Sequence, residues 1–363
     1  MALASNKGEW SEFYAFLKVL EARQLPAANK KLEPIPDRVF VFQKVIRGEK
    51  DAPIRVYDIT GNVSEIKITD ESGNEVSAVV NASNLGEKTR RIFSQIKAGE
   101  GGSFEIPEAE ALMNELLCTK VKASNEEKAD LVAIIHDRIS QTSPMLGFSI
   151  KSMVGGASTL LNAGKTTNFI YKVTGFNGSN EEVNAIDTRS KIRDRITVVQ
   201  QNGGAFSFVG VADEQFERNM RMIDTALPDF IAHMLFDYFT GERRTITELT
   251  EALASDDEIR AKFRLSAEDY SYKIRHFLDA IALGMVPSRP WDGFMRAHGG
   301  YIVVKEDGEV ICYHLYNRDE FQLYLYENTK LEAASSGRHG YGVLYEKDGE
   351  LFFNLNLQIR FLK

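Results

Sequence analysis

Apolar residues first fall at helical spacing in GEWSEFYAFLKVLEARQL, where Trp10, Phe13, Phe16, Leu17 and Leu20 share one side. The pattern predicts an amphipathic helix, closed by KKLEPIPDR. Between residues 38 and 80 the period drops to two. VFVFQKVI, PIRVYDI and VSEIKIT are divided by GN and SGN turns, which predicts a small antiparallel sheet. Helical spacing returns in EKTRRIFSQIKAG and in PEAEALMNELLC, the second opened by a first-turn proline. ADLVAIIHDRISQTSPMLGFSIKS, residues 129–152, holds two apolar runs that read as a strand hairpin. A glycine-rich loop follows, then the strand TNFIYKV, the helix-like DTRSKIRDRITVVQQ and the strand AFSFVGV. From 213 to 285 the pattern is helical, with DEQFERNMRMIDTALPDFIAHMLFDYF and AEDYSYKIRHFLDAIALGM as the long members. The tail returns to hairpins in GYIVVKEDGEVICYHLY and GVLYEKDGELFFNLNLQIRF, each turning at DG.

This succession predicts an α/β (α+β) fold. At 363 residues and 43% hydrophobic content the chain can bury one large core or two ordinary ones without disulfides. No apolar run approaches the roughly 18 residues of a membrane span. The start MALASNKGEW lacks the features of a secretory signal, so a cytoplasmic location is expected. Cys118 and Cys312 lie far apart with no CxxC spacing, which points to plain core residues. A net charge of −8 argues against indiscriminate coating of nucleic acid, while leaving room for a local basic cleft.

Such a cleft has a candidate. From Arg138 through Asn180 there is no acid, but Arg138, Lys151, Lys165 and Lys172 are present. The stretch suits a surface facing phosphates, or is merely a partly buried segment without acids. NAGKTTN in the same region is not a phosphate loop, because the glycine needed five residues ahead of the GK pair is Thr159. In the hairpin, Asp130 opens LVAII, and Ser149 and Lys151 close LGFSI. Antiparallel pairing puts Asp130 and Lys151 at one rim of the sheet. An acid and an amine there can hold a divalent cation and activate water against a phosphodiester, or they can form a structural ion pair. Asp137 falls at the opposite rim and reads as structural, and His136 as a strand or surface histidine.

KGEWSE places Lys7, Gly8 and Glu12 on the first helix. KGxxxE followed by a D…(E)xK hairpin resembles the PD-(D/E)XK nuclease fold, in which a mixed central sheet is flanked by helices. The resemblance extends further. NKGEWSEFYAFLKVL, LGFSIKSMVGGASTLLNAGKTTNFIY and RHGYGVLYEKDGELFFNLNLQIRF, spread over nearly the whole chain, are similar to blocks of the HpaII family of type II restriction endonucleases. That resemblance implies Mg²⁺-dependent, sequence-specific cleavage of double-stranded DNA, with CCGG as the target of the founding member. It also implies a cognate DNA methyltransferase in the same restriction-modification system. A palindromic target calls for two catalytic sites and hence a homodimer, at least when cleaving.

One position departs from the motif: the usual Glu of ExK is Ser149. A hydroxyl is a poor Mg²⁺ ligand, and the next acids along the chain are Glu181 and Glu182. The expected catalytic set is therefore Glu12, Asp130, Ser149 and Lys151, with Asp130, Glu12 and the Ile150 carbonyl around the metal. For reading guanine, the arginine fork is the natural partner. Arg189, Lys191, Arg193, Asp194 and Arg195 in DTRSKIRDR, Asn162 and Lys165 in the glycine-rich loop, and Arg338 and His339 in SSGRHGYG are the candidate DNA contacts. The expected partition is a nuclease core of residues 1–30 and 120–215, an inserted β/α subdomain at 31–119, and a C-terminal helical and β-hairpin region at 216–363. Two other functions fit the same residues. One is a structure-specific junction or repair nuclease, and the other a sequence-specific DNA-binding protein without catalysis.

Overall fold

The computed structural model describes residues 3–123, 129–137 and 141–363. Arg138, one of the bases of the acid-free stretch, lies outside the described residues. The chain divides into two compact units, Met1–Ser158 with Met295–Tyr324, and Thr159–Phe294 with Leu325–Leu362.

In the first unit the opening helix runs Lys7–Ala22. Its start is set by Asn6, whose side chain accepts from the Glu9 N–H at 3.0 Å while the Glu9 carboxylate accepts from the Asn6 N–H at 3.2 Å. Two donors left open at a helix N-terminus are thereby satisfied. Arg23 ends the helix in the left-handed region, and its guanidinium donates to the carbonyls of Ile59, Gly61, Asn62 and Glu65. Trp10, Phe13, Phe16, Leu17 and Leu20 are all buried, as their spacing predicts. At roughly 1.5–3 kcal/mol for each large apolar side chain, this face holds the helix against the sheet.

That sheet has nine strands, in the order Gln24–Ala28, Val310–His314, Gly300–Val304, Met145–Ser152, Leu131–His136, Pro34–Glu49, Ala52–Asp58, Glu65–Thr69 and Val80–Asn81. Gln24–Ala28 pairs in addition with Pro34–Glu49, so the first six strands close into a barrel. The length of Pro34–Glu49 makes closure possible. Its first half pairs with Gln24–Ala28 and its second half with Ala52–Asp58, and register shifts at Pro26/Ala28 and Phe42/Lys44 bend the ladder. The hairpin is antiparallel with Leu131 opposite Phe148, whereas Gly300–Val304 runs parallel to Met145–Ser152. Within Met145–Ser152 the pleat sends Phe148 and Ile150 into the core shared with the opening helix. Ser149 and Lys151 alternate to the other side.

The expected partition is corrected by these pairings. Strands from residues 34 to 69 belong to the same sheet as the hairpin, so 31–119 is no separate insertion. Residues 159–215 join the second unit, and 295–324 return to the first because Gly300–Val304 hydrogen-bonds along Met145–Ser152. The mixed α/β character holds; the barrel closure goes beyond what a mixed sheet flanked by helices describes. Both cysteines are buried and free, as expected. Among the described residues no helix is long and apolar enough to cross a membrane.

The second unit is built on a four-stranded antiparallel sheet, ordered Ala205–Val211, Asn168–Thr174, Glu350–Asn356 and Leu344–Lys347. A smaller sheet joins Thr159–Leu161, Ile359–Phe361 and Thr329–Leu331. The long helix expected over 213–239 is two, Glu214–Ile223 and Leu227–Thr240. Pro228 has no N–H to continue the earlier turn and fits the first turn of a new helix. Leu227–Thr240 packs on the larger sheet, where the Tyr171 hydroxyl donates to the Ala232 carbonyl at 2.6 Å.

Candidate active site

Asp130 lies just before the strand Leu131–His136, at the rim where Met145–Ser152 runs on past its partner. Its N–H donates to the Phe148 carbonyl at 2.9 Å. Its Oδ2 accepts from the Ile150 N–H at 2.8 Å and from the Ser149 hydroxyl at 3.1 Å. Ser149 therefore orients the aspartate. N–H and C=O of one strand residue face the same edge, so the Ile150 carbonyl also faces the rim beyond Leu131.

Glu12 reaches this rim from the opening helix. The Lys122 ammonium stands 3.3 Å from Glu12 Oε1 and 3.9 Å from Asp130 Oδ1, which brings both carboxylates around one cation. The two acids are 18% exposed and Lys122 is 53% exposed. Glu12 Oε2 is buried and has no hydrogen-bond partner among the described residues. Burial first, and then the Asp130 carboxylate, push Glu12 up to about 7 against the lowering pull of Lys122 and Lys151. For Lys122, burial acts to lower the ammonium, but Glu12 and Asp130 outweigh it and the net shift is upward. Lys151 is thus close enough to act on Glu12 electrostatically, yet forms no ion pair among the described residues.

The structure brings Glu12, Asp130, Ser149 and Ile150 together, with Lys151 near enough to act on the charge of Glu12. Lys7, the other charged residue of KGxxxE, turns away and donates to the Lys97 carbonyl at 3.0 Å. Asp137, at the far end of the hairpin, accepts from the Tyr316 hydroxyl. With His136, His298 and His314 it lines a separate cavity of about 640 Å³. Sequence reasoning missed Lys122, because a lone lysine eight residues ahead of Asp130 carries no spacing signal.

Among the described residues no group of three or more His, Cys, Asp or Glu is arranged to hold a metal ion. The rim instead offers two carboxylates and a main-chain carbonyl. That donor set is all oxygen, as Mg²⁺ requires, and Glu12 Oε2, without a partner among the described residues, and the uphill ionisation of Glu12 beside Asp130 are what a bound cation would relieve.

The model of the HpaII restriction endonuclease family matches residues 6–361. The chain is also 36% identical to the type II restriction enzyme HpaII of Haemophilus parainfluenzae over 360 residues, covering 99% of each chain. The chain belongs to the HpaII restriction endonuclease family. It is an enzyme of the type II restriction class. No solved structure gives a significant match.

In this family member the candidate DNA contacts all fall in the second unit. Asn162, Lys165, Arg189 and Arg338 are exposed, and their side chains have no partner among the described residues. Lys165 and His339 line one pocket of about 410 Å³, where the Asn168 amide donates to the His339 carbonyl at 2.9 Å. Arg189, Lys191 and Arg193 line another of about 660 Å³, together with Gly337 and Arg244. Lys191 pairs with Asp187 at 2.8 Å, and Arg193 with Glu242 at 2.8 Å, both on the open surface. Asp194 accepts from the Thr188 hydroxyl at the start of the helix Lys191–Gln201.

Arg195 is a correction. It is 6% exposed, and its guanidinium donates to the carbonyls of Asn184, Ile186 and Gly342. Its donors are taken up inside the unit, so it ties the 184–186 turn to residue 342 and does not face DNA. Lys172 of the acid-free stretch likewise pairs with Glu350 at 2.5 Å. Arg244 was missed from the sequence. Its guanidinium lies 4.8 Å from the centre of the Tyr238 ring and caps the end of Leu227–Thr240 through the Tyr238 carbonyl at 2.8 Å.

Proposed function

We propose that the chain hydrolyses double-stranded DNA at a short palindrome, CCGG being the first target to test, with Mg²⁺ as cofactor and PD-(D/E)XK-type chemistry. One observation carries this reading: Glu12 of the opening helix and Asp130 of the hairpin share one ammonium beside Lys151. Asp130, Glu12 and the Ile150 carbonyl would hold the metal. Bound Mg²⁺ supplies charge neutralisation at the scissile phosphate and lowers the pKa of water. Ser149 and the Ile150 N–H fix Asp130 through Oδ2, and Oδ1 faces Lys122 on the rim. Lys151, which forms no ion pair among the described residues, would orient the attacking water through its ammonium, the water's proton passing to solvent. The base-reading and phosphate contacts are assigned to Asn162, Lys165, Arg189, Lys191, Arg193, Asp194, Arg338 and His339 in the second unit. A homodimer acting in the cytoplasm, beside a methyltransferase that protects host DNA, completes the reading.

Incubation with plasmid DNA and Mg²⁺ tests it. Discrete fragments whose ends map to one short sequence are expected. Nicking confined to branched DNA would point to a structure-specific nuclease, and shifted but intact DNA to a binder without catalysis. Lys151→Ala is expected to bind the same duplex and not cut it. Unchanged cutting by that variant would remove Lys151 from the catalytic set.

A further inference from the structure

Lys122 is not a loosely placed surface lysine. The backbone just before it is clamped by a buried ion pair on the long strand, Arg47 with Glu49 at 2.7 Å, both side chains 5% exposed. Arg47 donates to the carbonyls of Lys120 and Val121 at 2.5 and 2.9 Å. Glu49 accepts from the N–H and the hydroxyl of Thr119 at 2.7 and 2.6 Å. The same guanidinium lies 5.2 Å from the centre of the Phe16 ring and 5.9 Å from that of Phe13, on the helix that carries Glu12. Residues 119–121 are thus fixed to the strand and the helix together, and the Lys122 side chain is delivered onto Glu12 and Asp130. The body of the clamp is buried while the Lys122 side chain is half exposed. That combination suits a charge that arrives reliably and leaves easily.

We propose that Lys122 is a built-in counter-cation, which holds Glu12 and Asp130 in place in the metal-free enzyme and yields them to a divalent cation. The inference rests on the reading that these two carboxylates bind metal. Two facing carboxylates without a positive charge between them repel. An ammonium at 3.3 and 3.9 Å removes that repulsion before metal arrives. The same contact must be given up on loading, so Lys122 lowers apparent metal affinity while preserving the geometry of the empty site. Lys122 is a positioning residue: it acts through the two acids, in contrast to Lys151, which forms no ion pair among the described residues.

The test is calorimetric titration of the full chain with Mg²⁺ in the absence of DNA, comparing wild type, Lys122→Met, Lys122→Arg and Asp130→Asn. Melting temperatures are measured in parallel, in chelator and in saturating Mg²⁺. Lys122→Met is expected to bind Mg²⁺ roughly five- to tenfold more tightly, the scale of releasing one partly exposed ion pair. It is also expected to melt below wild type in chelator and to match it in Mg²⁺. Lys122→Arg, which keeps the charge, is expected to restore both values to near wild type. If Lys122→Met binds Mg²⁺ no more tightly than wild type, the counter-cation role is overturned while the two-carboxylate site stands. If no protein binds Mg²⁺, or Asp130→Asn binds it as wild type does, both readings are overturned.

Discussion

The two units use charged side chains differently. In the first, Glu12 of the opening helix converges on one rim with Lys122 and Asp130, and the convergence leaves groups unsatisfied: among the described residues Glu12 Oε2 has no partner and Lys151 no carboxylate. In the second, a run of bases that looks uniform in sequence divides sharply. Arg195 is buried under carbonyls, Lys191 and Arg193 carry surface ion pairs, and Arg189, Lys165 and Arg338 remain open to solvent. Structural charges are completed within the protein. Residues that must act on something else are left incomplete, and unmet hydrogen-bonding or charge capacity at an accessible rim therefore separates the two kinds better than residue type does.

The sharpest way to break this contrast is Asp130→Asn. The amide oxygen can still accept from the Ile150 N–H, so the fold should survive, while cleavage should fall by roughly a hundred- to a thousandfold, the scale of losing one main electrostatic group. Plasmid digestion followed beside duplex binding checks it, and cleavage within a few fold of wild type would return Asp130 to the structural class. Arg195→Ala should act in the opposite sense. It leaves buried carbonyls of Asn184, Ile186 and Gly342 without donors, which costs roughly 3 kcal/mol of stability. Denaturant unfolding should reveal the loss, and a stable variant that merely loses DNA would contradict the assignment.

Acidity sharpens the comparison next. Glu12 is raised from 4.5 to about 7 in the folded protein. The folded state therefore holds a proton that the unfolded chain releases between those values. Its stabilising effect is complete below 4.5 and is lost as pH rises through 7. In chelator, the melting temperature of wild type should rise as pH is lowered from 8 toward 5.5, and Glu12→Gln should flatten that slope. Equal slopes in the two proteins would mean that the acids are not coupled as described. The smallest effect belongs to Arg189→Ala. Stability should not change, DNA affinity should drop, and the slope of log affinity against log salt should lessen by about 1 if the contact is to phosphate. Relaxed discrimination at one base pair with an unchanged slope would instead mark Arg189 as a base reader.

Much of the fold was legible because its signals are local. The opening helix follows from the spacing of Trp10, Phe13, Phe16, Leu17 and Leu20, and the hairpin from two short apolar runs close together in sequence. The split of 213–239 was written in Pro228 but masked by continuous helical spacing on both sides. Gln24 and Leu25 read as the end of the opening helix and the start of Pro34–Glu49 as its terminator, since prolines are rare inside sheets. Here they take part in closing a barrel, where Ala27 pairs with Cys312 nearly the whole chain away.

By itself the sequence determined most of the element types, the family, and the identity of Glu12, Asp130 and Lys151 as residues worth watching, because helix and strand periodicity and contiguous motifs are short-range properties. Only the tertiary structure decided that Gly300–Val304 lies parallel to the hairpin, that Ser149 orients Asp130 instead of replacing an acid, that Arg195 faces inward, and that Lys122 stands between the two carboxylates. The physical reason is the same in each case. Which donor meets which acceptor between separate elements is fixed by how strands pair and where backbone groups need partners, and neither leaves a periodic trace along the chain.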